Sequence, residues 1–127
     1  MLPARFRDAL ADGCVVTKGQ ERCLYVFPLD RWEDEVNRVS ALPRTDARAR
    51  QFARSFFAGA SQGEPDKQGR VSLPQNLRDY AGLEKDVAVL GVSDRVEIWD
   101  AGEWERFSGE ADEFFANIGD PLTEEGI

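Results

Sequence analysis

The sequence predicts a β-rich α+β fold, and three observations predict it. The chain carries one pattern twice: Leu2-Pro3-Ala4-Arg5-Phe6-Arg7-Asp8 matches Leu73-Pro74-Gln75-Asn76-Leu77-Arg78-Asp79 at an offset of 71. After a one-residue slip the match continues at 72, where Gly19 meets Gly91, Phe27 meets Trp99 and Trp32 meets Trp104. A collinear series of this kind marks a duplicated structural unit. Within each copy, short β-branched runs alternate with helical patterns in the order strand, helix, strand, turn, strand, helix. Finally, an apolar fraction of 42% in 127 residues fills one small domain or two very small ones, and no apolar run approaches the ~18 residues of a membrane span.

Each element has a local reason. In the first copy a short helix follows Pro3, since Pro is preferred at the start of a helix. Strands cover Cys14 to Thr17 and Cys23 to Phe27, joined through Lys18-Gly19-Gln20-Glu21-Arg22. Asp30 with Glu33 forms a capping pattern, and Trp32, Val36 and Val39 line one face of the helix it opens. Pro43 breaks the chain. Thr45-Asp46 then caps a connecting helix to about Ala58, with Phe52 and Phe56 one turn apart. In the second copy Arg70-Val71-Ser72-Leu73 reads as a strand entering Pro74. A short helix runs to Ala81, and Gly82 suits the position just past its end. Asp86 to Val92 is a strand, Ser93-Asp94 turns it back, and Val96 to Trp99 is the return strand. Asp100 with Glu103 repeats the capping pattern ahead of a helix bearing Trp104, Phe107, Ala111 and Phe114 at helical spacing.

Composition excludes much chemistry. There is no histidine, which removes Ser-His and Cys-His nucleophiles, His general bases and His-ligated metals. Cys14 and Cys23 lack a CxxC spacing and lie in apolar runs, the pattern of buried thiols. Glu33-Asp34-Glu35 reads as a helix surface without a partner group. The chain is therefore read as a non-enzyme with no metal or cofactor. Arg5, Arg7 and Asp8 interrupt the start before any apolar signal core could form, so a cytoplasmic location and no membrane partner are expected.

The net charge of −8 argues against a simple basic nucleic-acid binder, but its distribution changes that reading. Residues 1–100 carry 15 Lys+Arg and 16 Asp+Glu, whereas residues 101–127 carry Arg106 against eight acids. A balanced, Arg-rich body precedes an acidic end, an asymmetry that separates a binding surface from a tail. Arg44, Arg48, Arg50 and Arg54 crowd the connecting helix; a solvated face, a subunit contact and a nucleic-acid contact all remain open for them.

The string Asp66-Lys67-Gln68-Gly69-Arg70-Val71-Ser72-Leu73-Pro74, followed by Leu77, Arg78 and Gly82, resembles the SpoVT-AbrB swapped-hairpin DNA-binding motif. In that motif an acid-x-x-Gly-Arg turn leads through a strand into a Pro-started short helix. Two such units in one small chain, each followed by a helix, resemble the MraZ family of bacterial transcriptional regulators. The run Val96-Glu97-Ile98-Trp99-Asp100 with Trp104 fits that family better than the single-unit ones. The resemblance covers nearly the whole chain, to about residue 115.

The resemblance implies a swapped-hairpin β-barrel built from two SpoVT-AbrB repeats. Repeat 1 would span 1–31, a helical connection 32–58, repeat 2 60–103, and a C-terminal helix with acidic tail 104–127. As function it implies sequence-specific binding of double-stranded DNA at promoter direct repeats upstream of the division and cell-wall gene cluster. The agent would be a homo-oligomeric ring associated with the nucleoid. A second reading stays open: an oligomeric ring adaptor or antitoxin-like module holding a protein partner at the acidic C-terminal segment.

Two departures from the family pattern stand out. The offset places the counterparts of Asp66 and Arg70 ahead of Met1, so the chain is expected to begin inside the first strand of repeat 1, with its gene starting upstream. In Ser61-Gln62-Gly63-Glu64-Pro65 the family has an alternating apolar strand, and here Gly63 and Pro65 predict a short or bulged one. Under the resemblance, Arg70 and Arg78 are DNA contacts, with an ion pair in the folded chain as the alternative. Arginine can fork onto guanine or clasp a phosphate, and Lys67 at the turn tip reads as a phosphate contact. Arg5 and Arg7 occupy the equivalent helix of the first copy. Asp66 and Gly69 read as structural, Asp66 accepting turn N–H bonds or pairing with Arg70 and Gly69 supplying a positive φ. Trp32, Trp99 and Trp104 read as core anchors.

Overall fold

The computed structural model describes residues 2–118. In chain order they form α1 (Ala4–Leu10), β1 (Cys14–Lys18), β2 (Leu24–Pro28), α2 (Leu29–Ser40), α3 (Ala47–Ala58), β3 (Ser61–Gly63), α4 (Gln75–Ala81), β4 (Val87–Val92), β5 (Arg95–Asp100) and α5 (Ala101–Asn117). The fold is α+β, with one antiparallel five-stranded sheet in the order β3-β1-β2-β5-β4. β3 is the predicted short strand, ending at Gly63 before Pro65.

Successive strand residues point to opposite faces, and both faces of this sheet are covered. Cys14, Val16, Leu24, Val26, Val96 and Ile98 point into a core closed by Leu2 and by Leu10 of α1 and Leu77 and Ala81 of α4. Their neighbours Tyr25 and Phe27 meet Trp32 and Val39 of α2 and Phe56 of α3 on the other face. Trp99 faces the same way further along the sheet, where Trp104 of α5 meets it edge-on and Phe107 at a tilt, ring centres 5.2 and 4.9 Å away. Trp99 is buried, while Trp32 and Trp104 are half-buried. Both cysteines are free and buried. Burial, and then the charge of Glu97, pushes the Cys23 thiol up to about 12, so it is unreactive at neutral pH.

The two copies join along β2 and β5 through a pseudo-two-fold axis. Their register pairs Leu24 with Ile98, Tyr25 with Glu97 and Val26 with Val96. The offset of 72 carries Tyr25 onto Glu97 and exchanges the flanking pairs, so the axis passes through the Tyr25–Glu97 pair. The helices reinforce the join. The Phe6 ring of α1 lies where a side chain on Gly91 of β4 would stand. The Tyr80 O–H of α4 donates to the Gly19 carbonyl at 2.6 Å.

Three expectations are corrected. First, the repeat has two slips, not one, and Gly19 is not the counterpart of Gly91. Phe27 pairs with Val15 and Trp99 with Ala88, which makes Lys18 the structural counterpart of Gly91. The loop after α4 is two residues longer than that after α1. The first hairpin turns through Gln20–Arg22 and the second through Ser93-Asp94, and turn length sets register. Second, Asp30 and Glu33 do not cap α2. The helix starts at Leu29 with Pro28 at its cap position, and Asp30 only accepts from the Arg31 N–H. Pro28 is the counterpart of Asp100 and has no side-chain acceptor. Third, Arg70–Leu73 forms no strand. The Leu2 N–H donates to the Gly69 carbonyl at 2.7 Å. The next bond of a ladder would come from Ala4, which already lies in α1, so no ladder forms. Val71 and Leu73 are held instead by packing on the core.

Candidate nucleic-acid interface

The exposed turn at Asp66–Arg70 is built around one carboxylate. Asp66 Oδ1 accepts the N–H groups of Gln68 and Arg70, each at 2.9 Å, and Oδ2 accepts Arg70 Nε at 2.7 Å. The backbone closes the same loop: the Asp66 N–H donates to the Arg70 carbonyl and the Gly69 N–H to the Asp66 carbonyl. These bonds from Arg70, backbone first and side chain second, hold the Asp66 carboxyl below its ordinary value. Gly69 has φ +79°, a left-handed conformation that glycine adopts without strain.

The result is a fixed guanidinium on a rigid turn. Among the described residues Arg70 engages Asp66 through Nε alone, and its side chain is 63% exposed. The outer nitrogens therefore face solvent, in the fork geometry that suits a phosphate or a guanine edge. Lys67 is exposed at the tip.

The first copy contributes at the base of this turn. Arg7 of α1 bonds the Leu2 carbonyl through Nε at 3.0 Å and lies against Gly69, where a Cβ would collide with its guanidinium. The turn of one copy thus rests on the helix arginine of the other. Arg5 is exposed on α1, its guanidinium carbon 4.8 Å from the centre of the Phe6 ring. Arg78 stands apart from the turn in its contacts: it is exposed on α4 and donates to Gln75 at 2.6 Å, while Gln75 bonds Asp79 at 2.7 Å. Arg48, Arg50 and Arg54 are exposed along α3 and Arg44 is exposed just ahead of it; α3 packs on the sheet face opposite α1 and α4.

Two groups of structural residues were not singled out by their sequence pattern. Arg22 donates to the Tyr80 carbonyl at 3.2 Å and stacks over the Tyr80 ring, tying the first hairpin tip to α4. Glu97, in an alternating strand, reads as solvent-facing but is buried. It accepts from Arg95 at 2.7 Å and from the Trp99 indole at 2.9 Å. Its place opposite Tyr25 on the pseudo-axis is set by the β2–β5 register, which no sequence pattern signals. Residues 119–127, which hold much of the acidic tail expected to meet a partner, lie outside the described residues.

A family model described as "MraZ protein, putative antitoxin-like" matches the chain twice, over residues 1–55 and 56–122. The chain is 50% identical over 127 residues to a protein of Salinispora arenicola named transcriptional regulator MraZ, covering 100% of this chain and 86% of that one. Proteins of the same name from Kineococcus radiotolerans and Natranaerobius thermophilus are 51% and 45% identical, covering 92% and 98% of this chain and 82% and 87% of theirs.

Proposed function

The chain belongs to the MraZ family, and from that premise we propose that it is a transcription regulator that binds double-stranded DNA sequence-specifically. The single observation that carries this reading is the Asp66–Arg70 turn. Its carboxylate fixes the loop and presents an exposed guanidinium, and Arg7 of the other copy stands at its base. In this reading Arg70 contacts a base edge or phosphate. Lys67, Arg5 and Arg7 contact phosphates, and Arg78 extends the surface along α4. Asp66 and Gly69 shape the turn. The targets are direct repeats upstream of the division and cell-wall gene cluster, read by a ring of copies in the nucleoid-associated cytoplasm.

Ring assembly answers the charge objection. A small domain touches few base pairs, and several linked copies on a repeated site convert weak contacts into avidity. The finer architecture belongs to the same reading: a swapped-hairpin barrel of repeats at 1–31 and 60–103, a helical connection at 32–58, and a C-terminal helix with acidic tail at 104–127. Fluorescence anisotropy on a promoter fragment tests it. Arg70→Ala is expected to weaken binding by about 1–3 kcal/mol per engaged subunit if it reads a base, and affinity is expected to fall steeply with salt. Unchanged affinity in a folded Arg70→Ala chain removes Arg70 from the DNA surface.

A second reading draws on the exposed acidic end of α5. As an adaptor or antitoxin-like ring, the chain would capture a protein there. Such capture would not show the steep salt slope of DNA binding.

A further inference from the structure

Helix α5 runs past the surface it covers. Trp104 and Phe107 rest on Trp99, but the helix continues to Asn117. There Phe114 is 64% exposed and Phe115 80%. The two rings follow Asp112 and Glu113, so the end of the helix is an acidic, aromatic projection. Two adjacent phenylalanines left in water are unfavourable unless a partner covers them.

A recess of matching chemistry lies elsewhere on the molecule. Between the tip of the β1–β2 hairpin and α3 is a cavity of about 380 Å³ walled by Phe52, Phe56 and Tyr80. Lys18 and Arg48 also line it, and among the described residues no carboxylate does. Lys18 Nζ is 5.4 Å from the centre of the Tyr80 ring. Arg48 is 94% exposed and meets Asp46 only at 3.7 Å. The projection does not fill its own chain's recess: both rings are exposed, no residue of α5 lines the cavity, and α5 packs on β4 and β5 while α3 packs on β1.

We propose that Asp112-Glu113-Phe114-Phe115 of one copy docks in the Lys18, Arg48, Phe52 and Tyr80 recess of a second copy. The rings enter the aromatic recess and the carboxylates meet the two cations, so both the apolar and the charged parts are complementary. Projection and recess are different patches, so the contact is heterologous: each copy gives one and receives one, and successive copies close into a ring or extend as a filament. This rests on the ring assembly proposed above and supplies its contact.

Sedimentation velocity on the full chain tests it. Phe114→Ser with Phe115→Ser changes only exposed residues and is expected to weaken self-association about 100-fold or more, the loss of two buried rings. Two charge reversals make the test independent of folding losses. Lys18→Glu with Arg48→Glu makes recess and projection both acidic, and Asp112→Lys with Glu113→Lys makes both basic. Each double variant alone is expected to stay dissociated, and an equimolar mixture is expected to assemble, because every acidic recess then finds a basic projection and the reverse. A parent chain that stays monomeric, variants that assemble like the parent, or a mixture that stays dissociated overturns the proposal. Binding to a duplex with one target motif, followed by anisotropy, keeps the two readings apart. If the parent binds no DNA while the assembly results hold, the docking stands and the DNA-binding reading falls.

Discussion

At the scale of single residues, Gly69 and Asp66 decide whether Arg70 is presented at all. Any side chain at Gly69 meets two obstacles, the φ of +79° and the Arg7 guanidinium. Gly69→Ala is expected to destabilise the chain by at least about 1–2 kcal/mol, the left-handed backbone term alone, read as a lower urea midpoint. It is also expected to weaken DNA binding, since the turn must shift. The pH dependence of Asp66 follows from its lowered pKa. A carboxyl whose folded-state pKa is depressed contributes stability above its unfolded value and loses it as pH falls through the folded one. Asp66→Asn is therefore expected to be less stable than the parent near neutral pH, with the difference shrinking as pH drops below the ordinary carboxylate value of 3.8. Urea melts across that range check it; a deficit that persists unchanged in strong acid shows that the charge is not what Asp66 contributes. The turn was legible in the sequence because its bonds all close within five residues. The contact of Arg7 with Gly69 was not, because it is made by packing between residues far apart in the chain.

At the scale of elements, local signals read well where the helix end carried its own acceptor. Asp46 accepts from the Arg48 N–H at 2.8 Å and Asp100 from the Glu103 N–H at 3.2 Å, both as the spacing predicted. Asp46→Ala and Asp100→Ala are each expected to lower stability by about 1 kcal/mol, measured by chemical denaturation, whereas Asp30→Ala is expected to change it little because α2 begins ahead of Asp30. The missed cap at α2 has a simple cause: the Asp-x-x-Glu pattern fits at Asp30, but the helix already starts at Leu29 behind Pro28. Tertiary bonds were beyond reach from sequence. Thr17 lies in β1 yet donates its hydroxyl to the Phe56 carbonyl at 2.6 Å, fully buried, fixing the end of α3 on the sheet. Thr17→Val keeps the shape and removes the donor, and is expected to destabilise by about 1–3 kcal/mol through the unsatisfied carbonyl. A null effect in the urea midpoint shows that the carbonyl finds another donor.

At the scale of the whole molecule, the sequence has two units, but the larger core, on the sheet face that carries α1 and α4, is common to both. The duplication was legible because its anchors repeat. Its consequence was not, since nothing in a repeat says whether each copy buries its own apolar residues or shares them. On one face of the sheet they are shared, while the aromatic cluster of Phe27, Val39 and Phe56 on the other face belongs to the first copy and its connecting helix alone. Leu10, Val16, Leu24 and Val26 of the first copy lie in the same cluster as Leu77, Ala81, Val96 and Ile98 of the second. The central sheet pairing, β2 with β5, also crosses between copies, and Glu97 on the pseudo-axis is held by Arg95 and Trp99 opposite Tyr25. A domain folds alone when it owns a core, and a fragment of roughly half this length would expose its share of the cluster to water. Residues 1–58 and 59–127, produced separately, are therefore expected to be unfolded as monomers, with low far-UV circular dichroism and no cooperative melt. Mixing them is expected to restore structure, because the β2–β5 ladder and the shared core form only between them. The intact chain is expected to unfold in one transition, with tryptophan fluorescence and circular dichroism superimposing. A cooperative melt from either monomeric fragment alone, or separate transitions in the intact chain, refutes the shared core as the unit of folding.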